Sequence, residues 1–238
     1  MITLENLSFS TFLSVESGKS IGSGFRLIHE QIEYIVTAKH VIYDENTLLS
    51  DTWIISRNYD SLTNQYYDAT ILLNKQNVKT FSDLDIVLIK LTGSPEYHVE
   101  NIGENISIPS LQNLTDYEGI TIGSTIFQVG FPYSLTSTEF YEINSPLLRY
   151  GIVAGKNIKN KTFIIDSIAY YGVSGGPVLQ KNGDEFSIIG IVSRFVPFIT
   201  EWRNKHEKSL SRQDFFNSGY AICLPLDIIL KELEYANQ

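Results

Sequence analysis

The stretch Phe186-Ser-Ile-Ile-Gly-Ile-Val192 is rich in β-branched and aromatic residues and lies between clusters of Gly, Asn, Asp and Ser. Short apolar runs bounded in this way are typical of β-strands. Similar runs recur outward along the chain, as in Ile32-Glu-Tyr-Ile-Val-Thr37, Asp85-Ile-Val-Leu-Ile-Lys-Leu91 and Gly219-Tyr-Ala-Ile-Cys223. Because helical periodicity is missing before residue 195, alternating βαβ units are not expected. The pattern therefore predicts an all-β fold, either a sandwich or a pair of barrels.

A polar stretch at residues 103–119 separates the strand-like runs into two groups of similar size, which predicts domains over residues 1–110 and 111–238. Four apolar residues behind Pro225 recur at helical spacing: Leu226, Ile229, Leu230 and Leu233. They predict a helix over residues 226–236 that docks on the body of the protein, with a partner-binding helix as the alternative. Residues 200–217 carry many charges and few β-branched side chains, so we expect a long loop or a short surface helix there.

The 238-residue chain has 18 Lys and Arg against 27 Asp and Glu, a formal net charge of -9. This balance argues against binding of nucleic acid or an anionic membrane, because phosphate contacts need clustered cations. The single cysteine, Cys223, cannot form an internal disulfide, so packing must stabilise the fold. No apolar run approaches the ~20 residues that span a bilayer, and since the first basic residue is Lys19 we expect no secretory leader. We expect a cytoplasmic protein.

The segment Gly172-Val-Ser-Gly-Gly-Pro177 contains a candidate nucleophile, Ser174. A serine hydroxyl needs a base and nearby N–H groups, and flanking glycines let the backbone aim such groups at one point. A solvated serine in a glycine-rich turn is the alternative. The segment also fits the Gly-x-Ser-x-Gly elbow of α/β-hydrolases, but a β-rich run follows instead of a helix, which disfavours that interpretation.

A base and a carboxylate are available upstream of Ser174. The chain has four histidines: His29, His40, His98 and His206. His40 ends a strongly apolar run, whereas the others lie in a turn or in polar stretches, so His40 is the candidate base. Asp85 opens the most apolar run, where a carboxylate is costly unless it is hydrogen-bonded, and Asp83 is its rival. Taken singly, both could be ordinary strand-end residues.

Three segments in chain order carry a resemblance to a known family: Thr37-Ala-Lys-His40, Asp85-Ile-Val-Leu-Ile89 and Gly172-Val-Ser-Gly-Gly-Pro177. This order resembles the trypsin-like serine peptidases of the chymotrypsin fold, whose triad runs His, Asp, Ser. The resemblance implies two six-stranded antiparallel β-barrels with a C-terminal helix. It places His40 and Asp85 on the first barrel and Ser174 on the second, as the catalytic triad.

Further segments resemble the bacterial high-temperature-requirement (HtrA-like) branch of that family: Gly22-Ser-Gly-Phe25, Val129-Gly-Phe-Pro132 and Gly151-Ile-Val-Ala154. Too few residues follow Pro225 for the PDZ domain of those proteins, so we expect none. Val173 stands where digestive and clotting peptidases have an aspartate that pairs with a newly cut N-terminus. The resemblance therefore implies that this zymogen switch is absent.

The resemblance implies a serine endopeptidase that hydrolyses peptide bonds through an acyl-enzyme intermediate. The backbone N–H groups of Gly172 and Ser174 would form the oxyanion hole. Ser193 would hydrogen-bond Asp85, while Ile168 and Phe195 would form the base and the wall of the primary substrate pocket. Since no aspartate occupies the base, we expect a preference for a modest aliphatic or aromatic side chain rather than for Lys or Arg. Barrel packing is the alternative role of both pocket residues.

Two other functions remain open at this point. The first is a catalytically silent or latent trypsin-like module that binds a protein partner, and the second is an esterase that uses the same serine. The segment between Glu201 and Asp214 could gate the site or dock a regulatory protein, or be a solvated insertion. No cofactor or metal is expected, because the His, Cys and acidic residues show no ligand spacing.

Overall fold

A computed structural model of the protein describes residues 2–57, 66–81, 83–101, 107–133, 145–203 and 210–235. The strands of the first half are β1 (Ser10–Val15), β2 (Ser20–His29), β3 (Ile32–Thr37), β4 (Tyr43–Asp44), β5 (Thr47–Leu48), β6 (Asp51–Arg57), β7 (Tyr66–Leu72), β8 (Val78–Thr80), β9 (Val87–Lys90) and β10 (Tyr97–Asn101). Strands β4 and β5 pair with each other, and the others form one antiparallel sheet in the order β10-β7-β6-β1-β2-β3-β9-β8.

Strands β7 and β8 lie near opposite ends of this strand order and are separated in the chain by a turn at residues 75–77. Strand β7 pairs with β6, whereas β8 pairs with β9. Between them, the Asn77 side-chain amide donates to the Leu72 carbonyl at 2.7 Å, and the Lys90 N–H donates to the Asn77 carbonyl at 2.8 Å. The expected barrel has six strands, whereas the structure has an eight-stranded sheet that curls into a half-barrel. Strand β10 is an addition that pairs with the outer edge of β7.

The second half is a closed six-stranded barrel in the order β11-β12-β13-β16-β15-β14. Its strands are β11 (Thr125–Gly130), β12 (Leu147–Asn157), β13 (Thr162–Asp166), β14 (Pro177–Asn182), β15 (Glu185–Arg203) and β16 (Leu210–Leu224). Alternate residues of β13, Phe163 and Ile165, are fully buried in its core, as the strand pattern requires. The predicted all-β double barrel is confirmed.

The prediction of a loop or short helix over residues 200–217 is wrong. Strands β15 and β16 continue past the barrel as a two-stranded arm, although residues 204–209 lie outside the described part of the chain. Phe198 lies opposite Phe216 on the arm, and polar side chains hydrogen-bond across its two strands. The many charges suggested a loop, but in the arm Trp202 donates to Asp214 and Gln213 donates to Glu201 across the two strands.

The C-terminal helix, predicted over residues 226–236, is α2 (Asp227–Tyr235). Three apolar residues of this segment join the core of the first sheet: Leu226, Ile229 and Leu233. Lys79 of β8 also forms an ion pair with Glu232, with 2.9 Å between Nζ and Oε1. The chain therefore returns from the second barrel to pack on the first. The domain boundary at residue 110 stays a prediction. No helix within the described residues is long and apolar enough to cross a membrane.

Candidate active site

His40 and Asp85 come together because β3 and β9 are paired neighbours in the first sheet. His40 lies in the short helix α1 (Lys39–Ile42), which follows β3, and Asp85 lies just before β9. The distance from His40 Nδ1 is 2.8 Å to Asp85 Oδ2 and 3.0 Å to Oδ1, and the His40 backbone N–H donates to Oδ1 at 3.0 Å. These contacts fix the imidazole and leave Nε2 as the nitrogen that can exchange a proton.

The carboxylate of Asp85 is held in its ionised form by its hydrogen-bond donors. Burial alone would raise the pKa of Asp85, but hydrogen bonds from His40 and Ser193 outweigh this effect and lower the pKa below its ordinary value. The Ser193 hydroxyl donates to Oδ2 at 2.7 Å. The rival Asp83 is exposed and makes no hydrogen bond to His40 in the described part of the chain. Asp85 is therefore the carboxylate that orients the histidine.

Ser174 lies in a tight turn that only glycines allow at two positions. Gly172 and Gly175 have φ angles of +97° and +83°, in the left-handed region that residues other than glycine rarely adopt. A Cβ atom on Gly172 would lie 2.3 Å from the Phe131 carbonyl, and one on Gly175 would lie 2.2 Å from the Ser23 carbonyl. The turn thus brings the backbone around Ser174 against both halves of the molecule.

Ser174 and His40 line the same cleft but are not hydrogen-bonded to each other among the described residues. The Ser174 hydroxyl instead donates to the Ser193 carbonyl at 3.2 Å. The backbone N–H groups of Gly172 and Ser174 donate to no group in the part of the chain that the structure describes. Both are therefore available to a negatively charged oxygen, as the oxyanion hole requires.

The cleft has a volume of about 800 Å³ and contains all three predicted triad residues. Ser193 and Phe195, two of the three predicted substrate-binding residues, line it as well. Ile168 is not among its described lining residues, whereas the next two residues, Ala169 and Tyr170, are. Further lining residues come from both halves: Ile21, Leu84, Tyr133, Tyr171, Val192 and Arg194.

The sequence interpretation missed Tyr171 as part of the cleft wall. Its exposed ring makes an edge-to-face contact with Phe195, with 6.2 Å between the ring centroids. A lone tyrosine carries no chemical signature, and its place directly before Gly172 was the one available signal. Tyr171 and Phe195 together narrow the cleft on the side of the second barrel.

Among the described residues, neither a metal-binding cluster nor a reactive thiol accompanies this site. No group of three or more His, Cys, Asp or Glu residues is arranged to hold a metal ion within the described ranges. Cys223 is fully buried in the second barrel, and burial raises the pKa of its thiol. Cys223 is therefore a packing residue.

Comparisons with known proteins agree with the resemblance inferred from the sequence motifs. The family model described as trypsin matches residues 3–205. Serine protease HTRA3 of Rattus norvegicus is 28% identical over 211 residues, which is 82% of this chain and 40% of that protein. Serine protease HTRA4 of Homo sapiens is 25% identical over 186 residues, which is 73% of this chain and 37% of that protein. The chain thus spans less than half the length of these relatives.

A solved structure shows the same fold at low identity. The serine endoprotease from Yersinia pestis superposes with a TM-score of 0.57 and 16% identity, covering 97% of this chain and 63% of that one. The likeness extends over both barrels of this chain. It supports the double-barrel architecture independently of the motifs.

Proposed function

This chain belongs to the trypsin family, and we propose that it is a serine endopeptidase that hydrolyses peptide bonds with His40, Asp85 and Ser174 as its triad. One observation carries the proposal. A histidine oriented by an ionised carboxylate and a serine with two adjacent unoccupied N–H donors line one cleft. These are the groups that acyl transfer requires.

In each half of the reaction, acylation and deacylation, His40 first takes a proton and then returns it. Ser174 Oγ attacks the scissile carbonyl while His40 Nε2 takes the hydroxyl proton, and Asp85 stabilises the resulting imidazolium. The N–H groups of Gly172 and Ser174 hold the oxyanion of the tetrahedral intermediate. His40 returns the proton to the leaving amine as the C–N bond breaks, which yields an acyl-enzyme. In deacylation, a water molecule attacks the ester carbonyl while His40 takes its proton. His40 then returns the proton to Ser174 Oγ as the carboxylic acid leaves.

The starting position of Ser174 adds one step to this scheme. Its hydroxyl donates to the Ser193 carbonyl, so the O–H must turn away from that carbonyl before its proton can pass to His40. Hydrogen bonds between catalytic groups commonly tighten when substrate binds. We infer that a bound peptide favours the hydroxyl orientation that faces His40.

Substrate preference follows from the chemistry of the cleft wall. None of the described second-barrel residues that line the cleft carries a carboxylate, and Arg194 brings a positive charge to it. A Lys or Arg side chain before the scissile bond would find no counter-charge there. Ala169, Val192 and Phe195 instead suit a modest aliphatic or aromatic side chain.

A latent trypsin-like module that awaits a protein partner is the second candidate. The observation that favours it is the resting hydrogen bond of Ser174 to Ser193 in place of one to His40. Labelling with a fluorophosphonate probe separates the two functions, since the probe reacts with an activated serine. We expect rapid labelling of the wild-type chain and none of Ser174→Ala.

Denatured protein and small esters then distinguish a peptidase from an esterase. Cleavage of denatured protein after aliphatic or aromatic residues is expected for the peptidase. Labelling that appears after addition of a binding partner alone would favour the latent module. Hydrolysis confined to esters would refute the peptidase, and a cleavage profile dominated by Arg would refute the proposed preference.

A further inference from the structure

Ser23 of β2 hydrogen-bonds to three segments that meet at the nucleophile turn. Its side chain is fully buried. The hydroxyl donates to the Gly172 carbonyl at 2.7 Å and accepts the Phe131 N–H at 2.9 Å. The Ser23 backbone N–H donates to the Ser174 carbonyl at 2.8 Å. One residue of the first sheet therefore holds two carbonyls of the turn that carries the nucleophile.

Ser23 also contacts the strand that leads to the histidine. Its carbonyl accepts a hydrogen bond from Thr37 Oγ1 at 2.6 Å. Thr37 is the last residue of β3, and α1, which contains His40, begins just after it. The Ser23 backbone thus joins the His40 segment to the Ser174 turn through buried hydrogen bonds.

These contacts fix the peptide planes on either side of the Ser174 N–H. In the peptide plane between Gly172 and Val173, the Gly172 carbonyl accepts the Ser23 hydroxyl and the Val173 N–H donates to the Tyr170 carbonyl. The plane between Ser174 and Gly175 is held at its carbonyl by the Ser23 N–H and at its N–H by the Val192 carbonyl. The plane between them carries the Ser174 N–H, and its own carbonyl, that of Val173, accepts the Gly176 N–H at 2.9 Å. The Ser174 N–H therefore keeps its direction while the flanking planes stay in place.

No side chain at the centre of the turn could replace this support. Val173 lies between Gly172 and Ser174, is buried, and packs in the apolar core of the second barrel. It has no polar atom that could anchor the turn by an ion pair or a hydrogen bond. The hydroxyl of Ser23 is thus the polar side-chain group that anchors the carbonyl of Gly172.

We propose that Ser23 is a positioning residue that holds the Ser174 N–H in the direction that the oxyanion needs. The inference rests on the proposed peptidase function. Without the hydroxyl, the buried Gly172 carbonyl and Phe131 N–H lose their partner, so the turn relaxes to satisfy them elsewhere. We expect Ser23→Ala to lower kcat roughly tenfold, while KM changes by less than about twofold, because Ser23 does not touch the substrate.

Ser10→Ala is the matched control for Ser23→Ala. Ser10 lies on the adjacent strand β1, is fully buried, and its hydroxyl has no hydrogen-bond partner within the described residues. Both variants therefore lose one buried hydroxyl from the same sheet. We measure kcat, KM, the rate of fluorophosphonate acylation and the melting temperature of each. Ser10→Ala is expected to match the wild type in kcat, whereas Ser23→Ala acylates slowly at temperatures where it is folded.

Ser23→Cys covers the case in which the alanine variant does not fold. A thiol is a weak donor of similar size, so its acylation rate is expected between those of the wild type and Ser23→Ala. Wild-type kcat in either folded Ser23 variant, or a raised KM with unchanged kcat, would overturn the positioning role alone. A wild-type chain that resists acylation would overturn the peptidase function and this inference with it.

Discussion

Asp85→Asn tests the orientation of His40, because the surrounding hydrogen bonds dictate how the new amide must lie. Oδ1 of Asp85 accepts the His40 backbone N–H at 3.0 Å, so the amide oxygen must occupy that position. The amide nitrogen then replaces Oδ2, 2.8 Å from His40 Nδ1, and donates to it. Ser193 tolerates the change, since its hydroxyl can accept as well as donate. His40 consequently carries its proton on Nε2 and cannot take the proton of Ser174.

The wrong tautomer sets the size of the effect. Comparable triads lose about 10⁴-fold in kcat when this carboxylate becomes an amide, which corresponds to about 5.4 kcal/mol of transition-state stabilisation. We expect the same order for Asp85→Asn, with little change in KM, in a steady-state assay with a fluorogenic peptide. Asp83→Asn is the control, because Asp83 lies at the same cleft without a hydrogen bond to His40. An Asp85→Asn variant that keeps a tenth of wild-type kcat would refute the reasoning.

Three further predictions concern acid stability, the nucleophile turn and the C-terminal helix. Because hydrogen bonds lower the pKa of Asp85, its ionised form stabilises the fold above the ordinary carboxyl pKa of about 4, and this contribution disappears as the pH falls through the lowered pKa. Below the ordinary carboxyl pKa, the free energy of unfolding of Asp85→Asn should therefore fall less with pH than that of the wild type. Equal slopes of unfolding free energy against pH in the two proteins would contradict this. Gly172→Ala should lower both the free energy of unfolding and kcat, because the new Cβ would lie against the Phe131 carbonyl. Gly183→Ala is the control, since Gly183 also has a positive φ of +64° but no atom within 4 Å of the new Cβ. It should lower the free energy of unfolding, measured with denaturant, by only about 1–2 kcal/mol. Leu233→Ala should destabilise the fold by about 2–4 kcal/mol with kcat unchanged, since Leu233 is buried against the first sheet, and an effect no larger than that of the exposed Lys231→Ala would contradict this docking.

Local patterns predicted an all-β fold, and the resemblance to trypsin-like peptidases predicted the two barrels and the three triad residues that meet in the cleft. Apolar runs between turn residues indicated strands, and the neighbours of His40, Asp85 and Ser174 indicated their positions. The arm of β15 and β16 escaped prediction, since its strands carry many charges and few β-branched residues and are joined by side-chain hydrogen bonds across the hairpin. A cytoplasmic location and a regulatory partner stay predictions.

The lining of the cleft depends on geometry that the sequence does not encode locally. Ile168 was predicted at the base of the pocket, but Ala169 and Tyr170 reach the cleft instead. The contacts of Ser23 with the nucleophile turn likewise join residues that are 149 positions apart, which no local pattern reveals.

Trapping the acyl-enzyme on Ser174 tests the central claim most directly. The chain is mixed with a peptide that contains one cleavable bond, quenched with acid within the first turnover, and analysed by intact mass and fragment mapping. We predict a transient adduct equal to the N-terminal cleavage fragment, esterified to Ser174 and absent from Ser174→Ala. The quench is made under conditions in which the acyl-enzyme is hydrolysed more slowly than it forms. Peptide cleavage without the adduct under these conditions would contradict the account, and so would an adduct on another residue.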